Sequence, residues 1–348
     1  MPFGSGAGDI PGLTPPPVLI FFHIPKTGGL TIKSVVQHCL QDQCFDCELP
    51  VPDTALWVCS TANIAQKFYS LSAEERRVVR CVVGEHVSFD VASIFSLPSK
   101  FFTIVREPVD RVVSHFYFSR TWHELPSHQF IRDMTLEEYL DSGMGLDYDN
   151  HQVRMLSGCP ELDSPWTFER GRLRISAPPV TRRHLAMAKR NIEKRFIVAA
   201  PMEQLSALVW FLKRLYGWPI HRALYRIHHK TPGRPKVQSL SQTTRKRLEA
   251  SNEYDSALYE WVKERFATQI EPLEPDFSRQ VRRFEVLNSS FRRLHPFIPQ
   301  PILAAVARLP LSHRASWRAK LTHKAINSSV TRHYVPRFLA RQPFAKDD

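Results

Sequence analysis

Lys26, Thr27, Gly28, Gly29 and Thr31 are the first residues of this chain whose types and spacing suit chemistry. They lie in Phe21-Phe22-His23-Ile24-Pro25-Lys26-Thr27-Gly28-Gly29-Leu30-Thr31, after the apolar run Val18 to Phe22 and before a helical pattern from Leu30 to Leu40. A buried strand, a Gly-rich turn and a helix start make a phosphate site. The helix N-terminus offers unpaired N–H groups and partial positive charge, and the glycines let the backbone approach closely. Lys26 adds a point charge, and Thr27 and Thr31 bring hydroxyl donors. The lysine precedes the glycines, so the order is not G-x-x-x-x-G-K-[ST], and an ATP-dependent kinase loses its main support.

A second group lies in Phe101-Phe102-Thr103-Ile104-Val105-Arg106-Glu107-Pro108-Val109-Asp110-Arg111-Val112-Val113-Ser114-His115-Phe116. A buried strand ends at Arg106, and Pro108 suits a first helical turn. Arg106 offers a planar fork to phosphate, and Ser114 adds a hydroxyl two helical turns on. A third candidate is His86, in Val82-Val83-Gly84-Glu85-His86-Val87-Ser88-Phe89, after another apolar run. Histidine titrates near neutral pH and suits a general base acting on a hydroxyl. A helical pattern from Asp149 to Leu156 carries Gln152 and Arg154, and a basic Pro/Gly loop carries Lys230 and Arg234.

His-Ile-Pro-Lys-Thr-Gly-Gly resembles the 5'-phosphosulfate loop of sulfotransferases that use 3'-phosphoadenosine-5'-phosphosulfate (PAPS), in the family that includes heparan sulfate 2-O- and 6-O-sulfotransferases and bacterial relatives. R-x-P-x-x-R-x-x-S-x-F is similar to that family's 3'-phosphate motif. The resemblance implies that Lys26, Thr27, Gly28, Gly29, Thr31, Arg106, Ser114, Lys230 and Arg234 bind the donor. It implies that His86 and Lys26 are catalytic and that Gln152 and Arg154 contact the acceptor. Leu30 stands where the family often has Thr, and Glu85 intervenes between Gly84 and His86. The implied reaction is in-line sulfuryl transfer to a carbohydrate hydroxyl, with 3'-phosphoadenosine-5'-phosphate (PAP) as product and no metal.

The elements that position these residues alternate. Buried-strand candidates are Val18 to Phe22, Val78 to Val83, Phe101 to Val105 and Arg195 to Ala200. Helical patterns are Leu30 to Leu40, Val109 to Arg120, Leu136 to Asp141, Asp149 to Leu156, Arg182 to Lys194, Met202 to Tyr216 and Ser241 to Phe266. Alternation of this kind predicts an α/β fold with a central parallel sheet and helices on both faces. The resemblance makes it P-loop-NTPase-like, with three layers. The expected organisation is a leader at 1–16, a sulfotransferase domain at 17–271 and a basic, Pro-punctuated, helical extension at 272–348.

With 47 basic and 34 acidic residues among 348, the net charge is +13. A positive field favours anionic partners. Cys44 and Cys47 form a C-x-x-C pair, but Cys39 and Cys59 lack the spacing of a zinc ribbon. No apolar run reaches membrane-spanning length, and the N-terminus has no signal-peptide pattern. The expectation is a cytoplasmic protein with an acidic glycan or other carbohydrate acceptor and no nucleic acid, its basic tail free to touch a membrane surface. The animal members of the family are Golgi enzymes. The alternatives are a small-molecule kinase and a non-catalytic polyanion binder with a relic nucleotide site.

Overall fold

The computed structural model describes residues 17–47, 61–84, 87–123, 128–142, 148–159, 162, 178–227, 231 and 233–294, with the backbone of 167–169 and 172–174. The elements in chain order are β1 Val18–Phe21, α1 Gly29–Leu40, β2 Cys44–Asp46, α2 Thr61–Ser70, α3 Ala73–Val78, β3 Cys81–Val83 and β4 Ser99–Val105. There follow α4 Pro108–Thr121, α5 His128–Ile131, α6 Leu136–Ser142, α7 His151–Ser157, β5 Thr167–Glu169, β6 Arg172–Arg174 and α8 Arg182–Arg195. The last are β7 Phe196–Pro201, α9 Leu205–Tyr216, α10 Gln242–Ser251, α11 Glu253–Ile270 and α12 Asp276–Leu294.

The main sheet has the order β2-β3-β1-β4-β7, and every neighbouring pair is parallel. The fold is therefore α/β around a central parallel sheet, as the alternation predicts. All four residues of β1 are buried, because an inner parallel strand is covered on both faces and reads as a continuous apolar run. Phe22 leaves β1 into an aromatic cluster with Phe89, Phe101 and Phe196. The Phe22–Phe89 centroids are 4.9 Å apart and those of Phe101–Phe196 are 5.5 Å apart. This cluster packs the residue after β1 against the first half of β4 and the start of β7. β5 and β6 form a separate antiparallel pair.

Two boundaries differ from the sequence reading. Val78 closes α3 instead of opening β3, and β2 is too short and mixed in character to be seen as a strand. The helical pattern from Ser241 to Phe266 is two helices, broken at Asn252. Its buried amide accepts a hydrogen bond from Asn150 N at 3.2 Å and donates to Tyr148 O at 2.7 Å and Leu248 O at 2.8 Å. A side chain bonded to distant backbone and to its own preceding turn breaks the helical ladder.

α7 and α11 cap each other. Asp255 accepts from Gln152 N at 3.0 Å and Val153 N at 2.7 Å, while Asn150 Oδ1 accepts from Tyr254 N and Asp255 N, both at 2.9 Å. The orphan amides of two helix N-termini are thus satisfied reciprocally by side chains about a hundred positions away in the chain. Burial pushes the Asp255 pKa up, opposed by the nearby Arg111 guanidinium and by these hydrogen bonds.

The chain divides into two compact units, one of residues 1–223 with 227–279, the other of Leu224–Arg226 with everything from Gln280 on. In the second unit Asn288 Oδ1 accepts from Tyr225 N at 2.8 Å, and Arg292 lies over the Tyr225 ring. The expected leader at 1–16 and the tail from 295 lie outside the described residues.

Candidate active site

The turn after β1 closes through two left-handed residues, Lys26 at φ 68° and Gly28 at φ 88°. A lysine in this conformation costs on the order of 1 kcal/mol, a local strain characteristic of ligand-binding turns. The Thr27 side chain is buried, and its hydroxyl donates to Ile24 O at 2.8 Å. Its hydroxyl proton is therefore committed to the loop, and Thr27 has its backbone N–H to offer a phosphate. A Cβ on Gly29 would stand 1.8 Å from His23 Nε2. His23 is buried and stacks on Phe21 at 5.2 Å, and Phe21 in turn stacks on Phe102 at 4.9 Å. The histidine is thus the floor on which the glycine turn rests.

β4 is the neighbour of β1, so Arg106 emerges at the carboxyl edge beside this turn. Its Nη1 donates to Lys26 O at 2.7 Å. Its Nε and Nη2 donate to Asp110 Oδ2 at 2.8 Å and 2.5 Å. Arg234 reaches the same carboxylate from the other side through Asp110 Oδ1. Burial, and then the positive charge of Arg106, press the Arg234 pKa down, with Asp110 opposing. The two arginines and one carboxylate leave a net positive cluster suited to an anion.

Helix α4 begins sharply because Glu107 caps it, accepting from Val109 N at 3.1 Å and Asp110 N at 2.7 Å, with Pro108 in the first turn. Burial raises the Glu107 pKa despite these bonds. Asp110, Ser114 and Phe118 recur every fourth residue and share one face of α4. Asp110 meets the arginines at one end, and at the other the Lys26 ammonium lies 3.7 Å from the Phe118 ring centroid. Ser114, nearly buried, sits between them. Asp110 and Phe118 were not singled out from sequence. Their four-residue spacing about Ser114 is the signal that points to them.

A profile of the galactose-3-O-sulfotransferase family matches residues 3–298. The chain belongs to that family. Its curated relatives include heparan-sulfate 6-O-sulfotransferase 1 from Homo sapiens, 25% identical over 306 residues covering 77% of this chain and 69% of the relative. The Cricetulus griseus and Mus musculus proteins of the same name are each 26% identical over the same length. The sulfotransferase resemblance carried by the two phosphate motifs is thereby confirmed.

Within this galactose-3-O-sulfotransferase family member the other candidates are placed as follows. Gln152 is fully buried. Its Oε1 accepts from Arg106 N and its Nε2 donates to Arg106 O, both at 2.9 Å. Arg154 is also buried, bonded to Asp149 and to Pro178 O. Both side chains are turned to interior partners. His86 and Lys230 lie outside the described residues. β3 lies beside β1 on the side away from β4, so Gly84 leaves the sheet at the carboxyl edge that also carries Lys26.

One expectation is overturned. The matched relatives are heparan-sulfate sulfotransferases, Golgi-lumenal enzymes, and this contradicts a cytoplasmic assignment. That assignment rested on the missing apolar segment. No described helix is long and apolar enough to cross a membrane, but such a property of the fold does not determine its compartment.

Proposed function

We propose that this sulfotransferase takes PAPS as donor and transfers its sulfuryl group to a carbohydrate hydroxyl. The observation that carries the reading is the junction of the two motifs at Lys26 O and Arg106 Nη1. A donor with phosphate at both ends needs two cationic subsites a fixed distance apart, and this bond ties one to the other. The fold expected for such a site is the P-loop-NTPase-like three-layer arrangement. The residues suit the donor chemically. The close approach at Gly28 and Gly29, with Lys26, suits the 5'-phosphosulfate. Arg106, Arg234, Ser114 and Lys230 suit the 3'-phosphate, Asp110 holding the two described arginines in place.

In the reaction, the acceptor oxygen attacks sulfur and the bond from sulfur to the bridging phosphate oxygen breaks. The electron pair leaves with PAP, and His86 takes the hydroxyl proton. Lys26 stabilises the charge that develops on the bridging oxygen. Fixed charge and positioning supply most of the acceleration. Gln152 acts here by fixing the Arg106 backbone, and Arg154 by fixing the start of the segment that leads to α8. The glycan acceptor is supported by the relatives' names, which specify heparan sulfate, and by the net charge of +13.

The test is transfer of labelled sulfate from PAPS to heparan-type chains and to galactosides. Label in either glycan, with none when ATP and magnesium replace PAPS, supports the reading. A protein that binds PAP yet labels no glycan would refute the acceptor class.

A further inference from the structure

The helix α8 carries six cations, Arg182, Arg183, Lys189, Arg190, Lys194 and Arg195, and one carboxylate, Glu193. Arg183, Arg190 and Lys194 are separated by seven and then four residues. At 100° per residue they fall within about 40° of arc, and they extend about 16 Å along the axis. All three are exposed, as is Arg182 at their head. No carboxylate among the described residues forms an ion pair with Arg182, Arg183, Arg190 or Lys194. The opposite face, with His184, Ala188 and Ile192, is buried. Lys189 and Arg195 are turned aside onto the rings of Trp261 and Phe89. Glu193 falls on the Trp261 flank, where with Glu264 it lines a separate open cavity of about 500 Å³.

The head of this row works against local stability. Arg182 and Arg183 occupy the first turn, where the helix dipole disfavours cations by about 0.3–1 kcal/mol each. A local rule broken without a compensating partner in the fold marks a functional surface. The direction of α8 says where the row leads. α8 ends where β7 begins, and β7 is parallel to β4. A helix packed on a parallel sheet and feeding one of its strands runs opposite to that strand. The Arg183 end therefore lies toward the carboxyl edge, where Arg106 meets Lys26. The segment entering α8 is also tied to α7, through Arg154 Nη1 and Pro178 O at 3.0 Å, and α7 carries the Gln152 clamp on Arg106.

We infer that Arg183, Arg190 and Lys194 form a binding track for an anionic glycan chain, leading away from the donor site down the outer face of α8. The occupant is a uronate- or sulfate-bearing polysaccharide, because a linear row of solvated cations complements a linear array of fixed anions. A neutral galactoside has nothing to place there. Only the choice of occupant rests on the glycan reading above; the row itself does not.

The experiment compares the parent with R183E/R190E/K194E and with R183K/R190K/K194K. The probes are heparin, a neutral galactoside, a single-stranded oligonucleotide and PAP. In the Glu variant, heparin affinity is expected to fall at least tenfold at moderate salt. The slope of log K against log salt should shrink by about two, the value for three lost phosphate-like contacts on a single-stranded polyanion. PAP affinity should stay unchanged and the melting temperature should not fall, since a carboxylate suits the first turn of α8 better than the Arg183 cation it replaces, and the Lys variant should behave as the parent. Where the parent sulfates heparan-type chains, the Glu variant should show a raised KM with kcat retained. Heparin binding equal to the parent's would overturn the track, as would an oligonucleotide bound more tightly than heparin and lost in parallel. If the parent transfers no sulfate but the Glu variant still loses heparin, the proposed reaction fails and the track stands.

Discussion

The backbone carbonyl of Lys26 accepts a 2.7 Å hydrogen bond from Nη1 of Arg106, eighty residues later in the chain. The bond joins the turn after β1 to the end of β4. Arg106 is also held by Gln152 at its backbone and by Asp110 at its guanidinium. The proposed donor site is therefore assembled from four hydrogen-bonded segments, and substitutions at its supports should be felt in PAP binding.

Gln152→Ala removes both amide bonds to the Arg106 backbone. PAP affinity should fall by ~1–3 kcal/mol, while ADP affinity, which does not use the 3'-phosphate subsite, changes little. Gln152→Glu retains the acceptor toward Arg106 N and should recover part of the loss. Calorimetric titration of the three proteins with both nucleotides decides it. Equal losses for PAP and ADP would show that Gln152 supports the fold in general and not Arg106.

Gly29→Ala drives a Cβ into the His23 ring and should cost at least about 1–3 kcal/mol of stability, the range for overpacking. Gly28→Ala meets only Met202, at 3.5 Å, and carries the strain of φ 88° alone, so it should cost about 1 kcal/mol. The double variant G29A/H23A should recover stability that G29A loses. Melting curves that rank Gly28→Ala as the worse change would contradict this account of the turn.

His86→Ala should lower kcat by about 10²–10⁴, the usual contribution of a general base, with PAP affinity preserved. Single-turnover transfer from labelled PAPS reads the chemical step directly. A rate equal to the parent's would remove His86 from the mechanism.

Asp255→Asn keeps one acceptor oxygen and leaves one of the two α7 amides without a partner. The loss should be about 1–3 kcal/mol, read as a lower midpoint in urea. Because burial raises the Asp255 pKa in the folded state, its titration favours folding below the ordinary carboxylate range, and that contribution is lost as pH rises through the folded value. The gap between parent and Asn variant should therefore narrow as pH rises from about 4. A gap that widens would mean that burial does not dominate at this carboxylate.

The sheet and the turn after β1 were legible in the sequence because inner parallel strands are continuous apolar runs and paired glycines between such a run and a helical pattern mark a tight turn. Arg106 was legible for the same reason, as a charged residue ending such a run. Gln152 was offered as a ligand contact because its segment resembles the family's acceptor-side helix, and only tertiary packing shows its amide folded onto the Arg106 backbone. Asp110 was hidden by being one more carboxylate in a helical first turn, where the dipole alone accounts for it. The break at Asn252 was hidden because its partners, Tyr148 and Asn150, lie about a hundred residues away.

The most direct test of the central claim is titration of PAP against ADP into the parent and into Arg106→Ala. The account predicts that the parent binds PAP much more tightly than ADP. It also predicts that Arg106→Ala loses about 1.5–3 kcal/mol toward PAP, the scale of a charge-assisted hydrogen bond, and little toward ADP. A parent that binds the two nucleotides equally, or an Arg106→Ala protein that keeps full preference for PAP, would contradict it.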